Sequence, residues 1–446
     1  MVRVEIRLDR KGRALIKSTE PQQVEPRLGK YRILLLAGLG GILENYDFTV
    51  FALFARPLGQ LFFPPGIPEW LAVVQTLGIF AAGNLARPFG GLILAHYGDL
   101  LGRKRTFIFS MLLMALATLG MAFAPTYASV GGAAPIMLLM LRILQGAAIG
   151  GELPGAWTFV AEQVAANRVS FGCGVLMSAL SIGNLLAALT GIVVNRLYQP
   201  AGILAFGWRI PFLAGGIVAL FSVYVRRWLV ETPVFRDLQR RGELAIELPL
   251  KLVLRNCGRG ILASVALTSM IAVTIVVVLI ITPTLLQTTY GIDVSKSFEA
   301  VSLATACLSL SCVGCGILAD RLGAHLFLVL GAPILAASVY MLFALLPAHS
   351  DRVFLLYSLT GVSAGVVAGI PSMLVESFPP AIRFTGMAFS YNVAFAVVSG
   401  VTPPLIVLAL RVDPLAHAHA VLLACAAAFL VALARLLSSR IYLQSS

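Results

Sequence analysis

Long runs of apolar residues alternate with short polar stretches along most of the chain. Residues 262–286 carry no charged side chain, and neither do residues 384–410. Each run is longer than the roughly 20 apolar residues that cross the hydrocarbon core of a bilayer. A helix in the core of a soluble protein is rarely apolar on all sides over such a length. The pattern therefore predicts membrane-spanning α-helices.

Apolar runs between charged breaks predict twelve spans in all. The longest polar connection, at residues 226–259, separates the first six spans from the last six. The predicted spans are residues 31–54, 71–95, 106–124, 134–160, 170–194, 208–225, 260–286, 299–319, 325–346, 353–375, 384–410 and 415–437.

Basic residues are unevenly distributed between the two sides that these spans define. The chain has 33 Lys and Arg against 20 Asp and Glu, an excess that is also found in nucleic-acid-binding proteins. Here, however, 25 of the 33 basic residues fall on the side that carries both termini. Cytoplasmic loops of membrane proteins carry such an excess. We therefore expect both termini in the cytoplasm, a location in the inner membrane and no nucleic-acid partner.

The spans and the charges together predict an all-α membrane protein built from two six-helix halves. The halves are expected to be flanked by polar segments and joined by a polar loop. The predicted parts are a cytoplasmic N-terminal segment at 1–30, an N-terminal half at 31–225, a cytoplasmic central loop at 226–259, a C-terminal half at 260–437 and a cytoplasmic C-terminus at 438–446.

The sequence contains no pattern that is typical of an enzyme or of a metal site. Cys312 and Cys315 have the spacing of a redox or metal pair, but they lie in an apolar Gly/Ser-rich run without a nearby His. We interpret them as helix-packing residues. A P-loop, a Ser/His/Asp set and a dinucleotide fingerprint are also absent from the sequence. We therefore expect a protein that is not an enzyme, binds no metal or cofactor and is not driven directly by ATP.

A short motif recurs about half a chain apart. Gly98–Arg105 (Gly-Asp-Leu-Leu-Gly-Arg-Lys-Arg) follows the second predicted span, and Gly316–Gly323 (Gly-Ile-Leu-Ala-Asp-Arg-Leu-Gly) follows the eighth. Both copies contain Asp-x-x-Gly, and their aspartates, Asp99 and Asp320, are 221 residues apart. Two repeated halves with a substrate site between them near the bilayer midplane are a known plan of transporters.

These motifs resemble those of the major facilitator superfamily and, within it, of the metabolite:proton symporters. The superfamily's loop signature, Gly-x-x-x-Asp-x-x-Gly-Arg-Lys, is matched by residues 95–104 with Ala95 at the first position. The second copy has Ala324 and His325 in place of the basic pair. Further matches are Arg-Ile-Leu-Gln-Gly at 142–146, Glu-Asn-Tyr-Asp-Phe at 44–48, Arg-Pro-Phe-Gly-Gly at 87–91, Gly-Trp-Arg-Ile-Pro-Phe at 207–212 and Glu-Thr-Pro-Val-Phe at 231–235.

The resemblance implies a major facilitator fold of twelve helices that works by alternating access in a lipid bilayer. It also implies import, together with protons, of an organic acid such as citrate, 2-oxoglutarate or shikimate, or of a zwitterion such as proline or betaine. Asn45 stands where the family usually has an aromatic residue, so the substrate can differ from the common ones. An exporter driven by proton antiport is the alternative, and a transport-dead membrane sensor is a third interpretation.

Two carboxylates in the first span are candidates for proton coupling. A charge at the centre of a membrane helix costs about 2.5–3.5 kcal/mol on insertion scales. Glu44 and Asp47 are three residues apart and so share one face of the span. Two neighbouring carboxylates in a medium of low dielectric do not ionise together easily. Our hypothesis is that one of them binds the coupled proton; the alternative is a static ion pair with Arg142 or a hydrogen bond between helices.

The fourth span carries Arg142, Gln145 and Glu152, which fall on one stripe of a helix. The planar guanidinium of Arg142 can bind a carboxylate through two hydrogen bonds. We therefore expect Arg142 and Gln145 to bind an anionic group of the substrate, or Arg142 to serve only as a counter-ion for the first span. For Glu152, proton coupling and a structural role are both open.

Other charged residues are predicted to lie at cytoplasmic ends of spans. Arg87 is placed within a turn or two of the end of the second span. There it either snorkels to the interface or forms part of a cytoplasmic gate. The resemblance implies gate roles for the loop motifs as well, although their charges could instead act only in setting the orientation of the chain. These motif residues are Asp99, Arg103, Asp320 and Arg321.

The second half contributes fewer polar groups to the predicted site. Tyr391 and Asn392 stand where the family has a Phe-Asn pair, and with Asn45 they complete the predicted substrate-binding residues. No sequence feature indicates an oligomer, and we expect the chain to act as a monomer.

Overall fold

The computed structural model describes residues 3–8, 14–19, 30–228, 230–241 and 249–444. The first element in these ranges is a hairpin of two antiparallel strands, β1 (Arg3–Leu8) and β2 (Ala14–Thr19), in which Ile6 pairs with Ile16. Polar and apolar residues alternate along β1, which is the pattern of a strand. The remaining elements are helical.

In the described part of the chain, twelve long helices make up the body of the fold. Among the described residues, eleven helices are long and apolar enough to cross a membrane, and the first helix, 24 residues long, contains Glu44 and Asp47. The twelve are α1 (Lys30–Leu53), α2 (Glu69–Leu101), α3 (Arg103–Phe123), α4 (Ala133–Gln163), α5 (Val169–Leu197), α6 (Arg209–Arg226), α7 (Gly258–Thr274, Ile275–Ile281 and Thr282–Thr288), α8 (Val294–Leu322), α9 (Ala324–Leu345), α10 (Val353–Ala364, Gly365–Gly369 and Ile370–Glu376), α11 (Arg383–Ala409) and α12 (Ala416–Gln444).

Two of the long helices are irregular, and short helices connect several others. The middle of α7 is a π-helical turn and that of α10 is a 3₁₀ turn. Pro283 and Pro371 follow these turns, and proline cannot supply a helix N–H donor. The connecting helices are Ala55–Phe62, Tyr127–Val130, Ala166–Arg168, Pro200–Gly202, Ile203–Gly207, Pro233–Arg241, Pro249–Asn256, Ser350–Arg352 and Pro380–Ile382.

The arrangement confirms the predicted fold class, but some helices are longer than the apolar runs that predicted them. α2 continues to Leu101, past the predicted end at residue 95, and α12 continues to Gln444, past residue 437. Apolar runs mark the part of a helix in hydrocarbon, whereas its backbone hydrogen bonds can continue beyond the membrane. Arg87 consequently lies near the middle of α2 and not near its end.

The repeated Asp-x-x-Gly motif forms a similar turn in both halves. Gly102, between α2 and α3, has φ 115°, and Gly323, between α8 and α9, has φ 84°. This backbone region is open to glycine and strained for residues that carry a Cβ. The glycines therefore allow two long helices to follow each other directly. We call the end of the bundle that contains Gly102 and Gly323 the basic face, and the other end the opposite face.

Helices α2 and α4 pack at very short distance. A Cβ at Gly146 would collide with the carbonyl of Gly83, and a Cβ at Gly150 would collide with the carbonyl of Arg87. Small residues allow two membrane helices to approach in this way. Gly83 also lies against the side chain of Arg142. The contact between the two helices therefore sets the relative positions of Arg87 and Arg142.

The two halves touch at the basic face through matching contacts. Asp320 of α8 accepts hydrogen bonds from the backbone N–H groups of Ser170 and Phe171 in the first turn of α5, both at 2.8 Å. Asp99 of α2 accepts one from the N–H group of Thr385 at the start of α11, at 2.9 Å. A carboxylate at the first turn of a helix satisfies N–H groups that have no partner within that helix. Each repeated aspartate therefore binds a helix of the other half.

A buried cluster of ion pairs adds to this closure beside Asp99. Arg103 lies 3.2 Å from Asp99 and 3.5 Å from Glu162. It also donates a hydrogen bond to the carbonyl of Pro380 at 2.8 Å, and Arg383 lies 3.3 Å from Glu162. Because Pro380 and Arg383 belong to the C-terminal half, Asp99 and Arg103 take part in contacts between the halves.

Replacing Asp320 with Asn should loosen the closed basic face. Asn keeps an acceptor oxygen but loses the negative charge, and a loss of about 1 kcal/mol would increase the opened population about fivefold. The thiol of Cys312 is buried, and its backbone lies against Gly174 of α5. Mass spectrometry of the Cys312 peptide should therefore show faster labelling by a water-soluble maleimide in Asp320→Asn.

Asp237→Asn is the matched control for this measurement. Asp237 lies in the connecting helix Pro233–Arg241 and forms an exposed ion pair with Arg241 at 3.0 Å. This variant should leave the labelling rate of Cys312 unchanged. Equal labelling rates in Asp320→Asn and the wild-type protein would mean that Asp320 does not keep the halves together.

Candidate functional site

Buried charges are concentrated in the N-terminal half. Apart from the cluster at the basic face, its described residues include three buried carboxylates, on α1 and α4, and three buried arginines, on α2, α4 and α6. A charge in the membrane interior is costly unless it is paired, so the partners of each group determine what it can do. The six residues are Glu44, Asp47, Glu152, Arg87, Arg142 and Arg226.

Asp47 is bound by polar, uncharged side chains. Its Oδ2 atom accepts hydrogen bonds from Oγ1 of Thr118 on α3 at 2.5 Å and from Nε2 of Gln145 on α4 at 3.3 Å. Gln145 also donates to Thr118 at 2.9 Å, so the three side chains form a closed triangle. No lysine or arginine in the described part of the chain forms an ion pair with Asp47.

Arg142 lies next to this triangle in an aromatic environment. It donates a hydrogen bond to the side-chain oxygen of Gln145, and its guanidinium carbon lies 4.6 Å from the ring centroid of Phe51 and 4.8 Å from that of Phe80. The faces of these rings attract a cation. The sequence analysis left open a direct ion pair of Arg142 with a carboxylate of α1. No such pair is found among the described residues, because Gln145 lies between Arg142 and Asp47.

Arg87 forms an ion pair with Glu44 in the centre of the bundle. Nη2 of Arg87 lies 3.4 Å from Oε1 of Glu44, whereas Oε2 of Glu44 has no hydrogen-bond partner in the described ranges. The guanidinium carbon of Arg87 also lies 5.1 Å from the ring centroid of Phe395 in α11. The pair therefore touches the C-terminal half.

The expected position of Arg87 near the cytoplasmic end of its span is wrong, and so is the expectation that it snorkels to the interface. Only 7% of its side chain is exposed, and its charge is paired inside the bundle. The physical reason is that α2 continues to Leu101, which places Arg87 several turns away from the basic face.

The predicted residues of α11 have separate partners. Tyr391 is buried and packs edge-on against Trp157 of α4, with ring centroids 5.0 Å apart. It also lies close enough to Arg87 for an electrostatic interaction. Asn392 instead donates a hydrogen bond to the backbone carbonyl of Gly150 in α4 at 2.7 Å. In this conformation the amide of Asn392 therefore joins the two halves.

Asn45 lies on a different side of α1, partly buried beside Gly183 of α5. Among the predicted substrate-binding residues, Arg142 and Gln145 are brought into contact with each other. In the part of the chain that is described, no hydrogen bond joins Asn45 or Tyr391 to that pair. The predicted binding residues are thus spread over more than one place.

Glu152 forms the best-satisfied of the buried ion pairs. Its Oε1 atom lies 2.7 Å from Nη1 of Arg226 at the end of α6, and its Oε2 atom accepts a hydrogen bond from Ser110 at 2.8 Å. Arg226 is fully buried and lies 3.8 Å from the ring centroid of Phe107. From the sequence alone, Arg226 counts as a loop residue and this pair is not predicted. The sequence feature that could have indicated an ion pair here is Glu152 itself, because a buried carboxylate needs a partner.

Three of the four loop-motif residues that were predicted as gate residues, Asp99, Arg103 and Asp320, make the contacts between the halves described above. The fourth, Arg321, is exposed at the end of α8. Glu162 and Arg383, which complete the buried cluster at the basic face, are not predicted from the sequence. Both are charged residues near the ends of predicted spans, where a charged side chain is ordinary and indicates no particular partner.

A cavity of about 800 Å³ lies near the opposite face, away from these charges. It belongs to the C-terminal half and is lined in part by Tyr290, Phe343 and His417. No group of three His, Cys, Asp or Glu side chains that could hold a metal ion occurs within the described ranges. The buried charges of the N-terminal half therefore form the principal candidate site.

Residues 49–403 match the sequence model of the Major Facilitator Superfamily. Among the relatives is a citrate-proton symporter of Klebsiella pneumoniae, 29% identical over 86% of this chain and 87% of the relative. The ectoine/proline transporter ProP of Corynebacterium glutamicum is 30% identical over 82% of this chain and 75% of the relative. The inner membrane metabolite transport protein YhjE of Escherichia coli is 28% identical over 86% and 88%, respectively.

Solved structures have the same fold. The proton:xylose symporter XylE bound to 6-bromo-6-deoxy-D-glucose matches with a TM-score of 0.75 at 20% identity, over 91% of this chain and 94% of that one. At this identity the likeness concerns the fold alone. The relatives and the eleven membrane-length apolar helices of the described residues show a multi-pass membrane transport protein, not an enzyme. The chain belongs to the major facilitator superfamily, as its loop motifs predict, and its relatives place it among the metabolite:proton symporters of that superfamily.

Proposed function

We propose that this protein is a secondary active transporter of the inner membrane that imports a small polar metabolite, an organic acid or a zwitterion, together with protons. The observation that carries the proposal is the pair of buried carboxylates on α1. Glu44 has a single ion-pair contact at 3.4 Å, and Asp47 has polar partners but no ion pair among the described residues. A carboxylate buried in this way is readily neutralised by a proton.

Arg142 and Gln145 are the proposed binding residues for an anionic group of the substrate. The guanidinium of Arg142 carries a permanent charge, and its Nε atom has no hydrogen-bond partner in the described ranges. Gln145 links Arg142 to Asp47. A proton on Asp47 would weaken the hydrogen bond from Gln145, because charge-assisted hydrogen bonds are the stronger ones. The guanidinium would then be more available to a ligand.

Alternating access would proceed through the contacts between the halves. The excess of basic residues supports a cytoplasmic position for the basic face and for both termini. Asp99, Arg103 and Asp320 would then form a cytoplasmic gate that is closed in this conformation. The proposed functional unit is a monomer.

Purified protein in proteoliposomes should accumulate one compound from a labelled panel of citrate, 2-oxoglutarate, shikimate, proline and betaine when the proton gradient is directed inward. A protonophore should abolish the accumulation, because the gradient and not binding drives it. Liposomes without protein are the control. If the folded protein takes up none of these compounds, export by proton antiport or import of a substrate outside the panel becomes the better interpretation.

Glu44→Gln and Asp47→Asn should separate coupling from translocation. The variant that lacks the proton-binding carboxylate should lose gradient-driven accumulation but keep exchange of labelled for unlabelled substrate, since exchange needs no net movement of protons. Glu69→Gln is the control, because Glu69 forms an exposed ion pair with Arg56. Gradient-driven accumulation at the wild-type level in both site variants would rule out the α1 carboxylates as proton carriers.

Arg142→Lys should raise the apparent Kd of the transported compound about tenfold, because lysine keeps the charge but lacks the planar fork. Competition for uptake in proteoliposomes measures this change. The matched control is Arg227→Lys, since Arg227 is exposed at the end of α6 and stacks on Tyr224. A wild-type affinity in Arg142→Lys would exclude direct recognition of the substrate by Arg142.

A further inference from the structure

Two groups of buried charges lie about one helical turn apart in the N-terminal half. On α1, Glu44 and Asp47 are separated by three residues. On α2, Gly83 packs against the side chain of Arg142, and Arg87 follows one turn later. The first group is the ion pair of Glu44 with Arg87, and the second is Asp47 with Arg142, linked through Gln145.

The charges of these two groups cancel when both carboxylates are ionised. The third buried pair, Glu152 with Arg226, cancels separately through a 2.7 Å contact. If Glu44 and Asp47 both bind a proton, Arg87 and Arg142 leave two positive charges without a counter-ion. A buried charge in that condition is strongly unfavourable, so an anion with two negative charges restores the balance.

We propose that the substrate is a dicarboxylate whose two carboxylates bind Arg142 and Arg87, and that protons on Asp47 and Glu44 release these arginines for it. The inference rests on the proposed function and names the substrate class of the same site. One dianion then enters with two protons, and no net charge crosses the membrane. Each substrate carboxylate replaces a protein carboxylate that has become neutral.

The position of Arg87 suits the second anion subsite. It lies where the two halves meet, beside Phe395 of α11, and substrate sites of duplicated transporters lie between the halves near the midplane. Its link to Glu44 is one contact of 3.4 Å, and its Nε atom has no hydrogen-bond partner among the described residues. A guanidinium has five N–H donors, so Arg87 has donors to offer a ligand.

The ionisable groups around Glu44 are consistent with this exchange. Besides Arg87, Glu44 is faced by Glu152 of α4, Arg226 of α6 and Tyr391 of α11. Glu152 and Arg226 bind each other and add no net charge. Tyr391 brings a phenol that can donate a hydrogen bond to a bound carboxylate. Arg87 is therefore the cation that a proton on Glu44 releases.

The groups around Asp47 indicate in the same way that a proton on Asp47 releases one arginine. Its charged neighbour from another helix is Arg142, and Tyr46 is the ionisable neighbour on its own helix. Thr118 and Gln145 supply neutral hydrogen bonds. A proton on Asp47 thus leaves Arg142 as the uncompensated charge of this group. A zwitterion such as proline carries no net charge and would leave both arginines unbalanced.

The test compares dicarboxylates with analogues that lack one carboxylate. The probes are succinate, glutarate and 2-oxoglutarate, paired with butanoate, pentanoate and 2-oxopentanoate, in which a methyl group replaces one carboxylate. Competition with labelled dicarboxylate uptake in proteoliposomes should show at least one dicarboxylate binding about tenfold or more tightly than its analogue. Binding of every analogue as tight as that of its dicarboxylate, or no binding of any dicarboxylate, would overturn the inference.

Arg87→Lys should weaken the apparent affinity for the dicarboxylate about tenfold and leave that for the monocarboxylate unchanged, because the monocarboxylate engages Arg142 alone. Arg209→Lys is the matched control. Arg209 binds the carbonyls of Ala122 and Ala124 near the opposite face, and this variant should change neither affinity. Equal losses for both ligands in Arg87→Lys would mean that Arg87 does not bind the second carboxylate.

A second measurement uses the wild-type protein and so does not depend on the folding of a variant. Uptake of the dicarboxylate under a fixed pH gradient should not change when a potassium gradient with valinomycin imposes a membrane potential. Uptake that either increases or decreases with an interior-negative potential would overturn the count of two protons. Gradient-driven uptake of proline or betaine but of no dicarboxylate would leave the proposed function standing and refute this inference alone.

Discussion

The cost of a charge in hydrocarbon is the constraint on which the site depends. The three buried arginines at the site in the N-terminal half are stabilised against this cost by different partners. Arg226 has a carboxylate at 2.7 Å, Arg87 has one at 3.4 Å, and Arg142 has an amide and aromatic rings. A fully satisfied pair resists change, whereas a partly satisfied charge can exchange partners at low cost. The proposed proton and substrate chemistry therefore involves Arg87 and Arg142, whereas Arg226 joins α1, α4 and α6.

At the basic face, buried charges are also paired with polar groups, but there the two partners of each contact belong to different halves. Asp320 binds the first turn of α5, and Asp99 binds the first turn of α11. Such contacts must break when the halves separate, while the ion pairs within the N-terminal half can persist. Arg87 and Asn392 make further contacts between the halves near the buried charges. Arg87 of α2 lies against Phe395 of α11, and Asn392 of α11 binds the carbonyl of Gly150 in α4. In the proposed transport cycle, occupancy of the site would in this way affect the closure of the proposed gate.

Much of the fold and part of the site could be predicted from the chain. The repeated Asp-x-x-Gly motif predicted both aspartates at the basic face, and the spacing of Glu44 and Asp47 predicted two carboxylates on one helix face. The partner of Arg87 was not predictable, because the apolar run ended at residue 95 and made Arg87 look like a residue near a helix end. Arg226 was missed for a similar reason, since a basic residue at the end of a span is ordinary topology.

The sequence by itself determined the membrane class, the twelve helices, the repeated halves and the concentration of charges in the first half. These properties depend on hydropathy and spacing, which are counted along the chain. Only the tertiary structure decided which charges meet. The partner of a side chain depends on the rotation and depth of each helix, and packing between distant segments sets both. The glycines of α2 and α4 fit together so that Arg87 faces Glu44, while Gln145 separates Arg142 from Asp47.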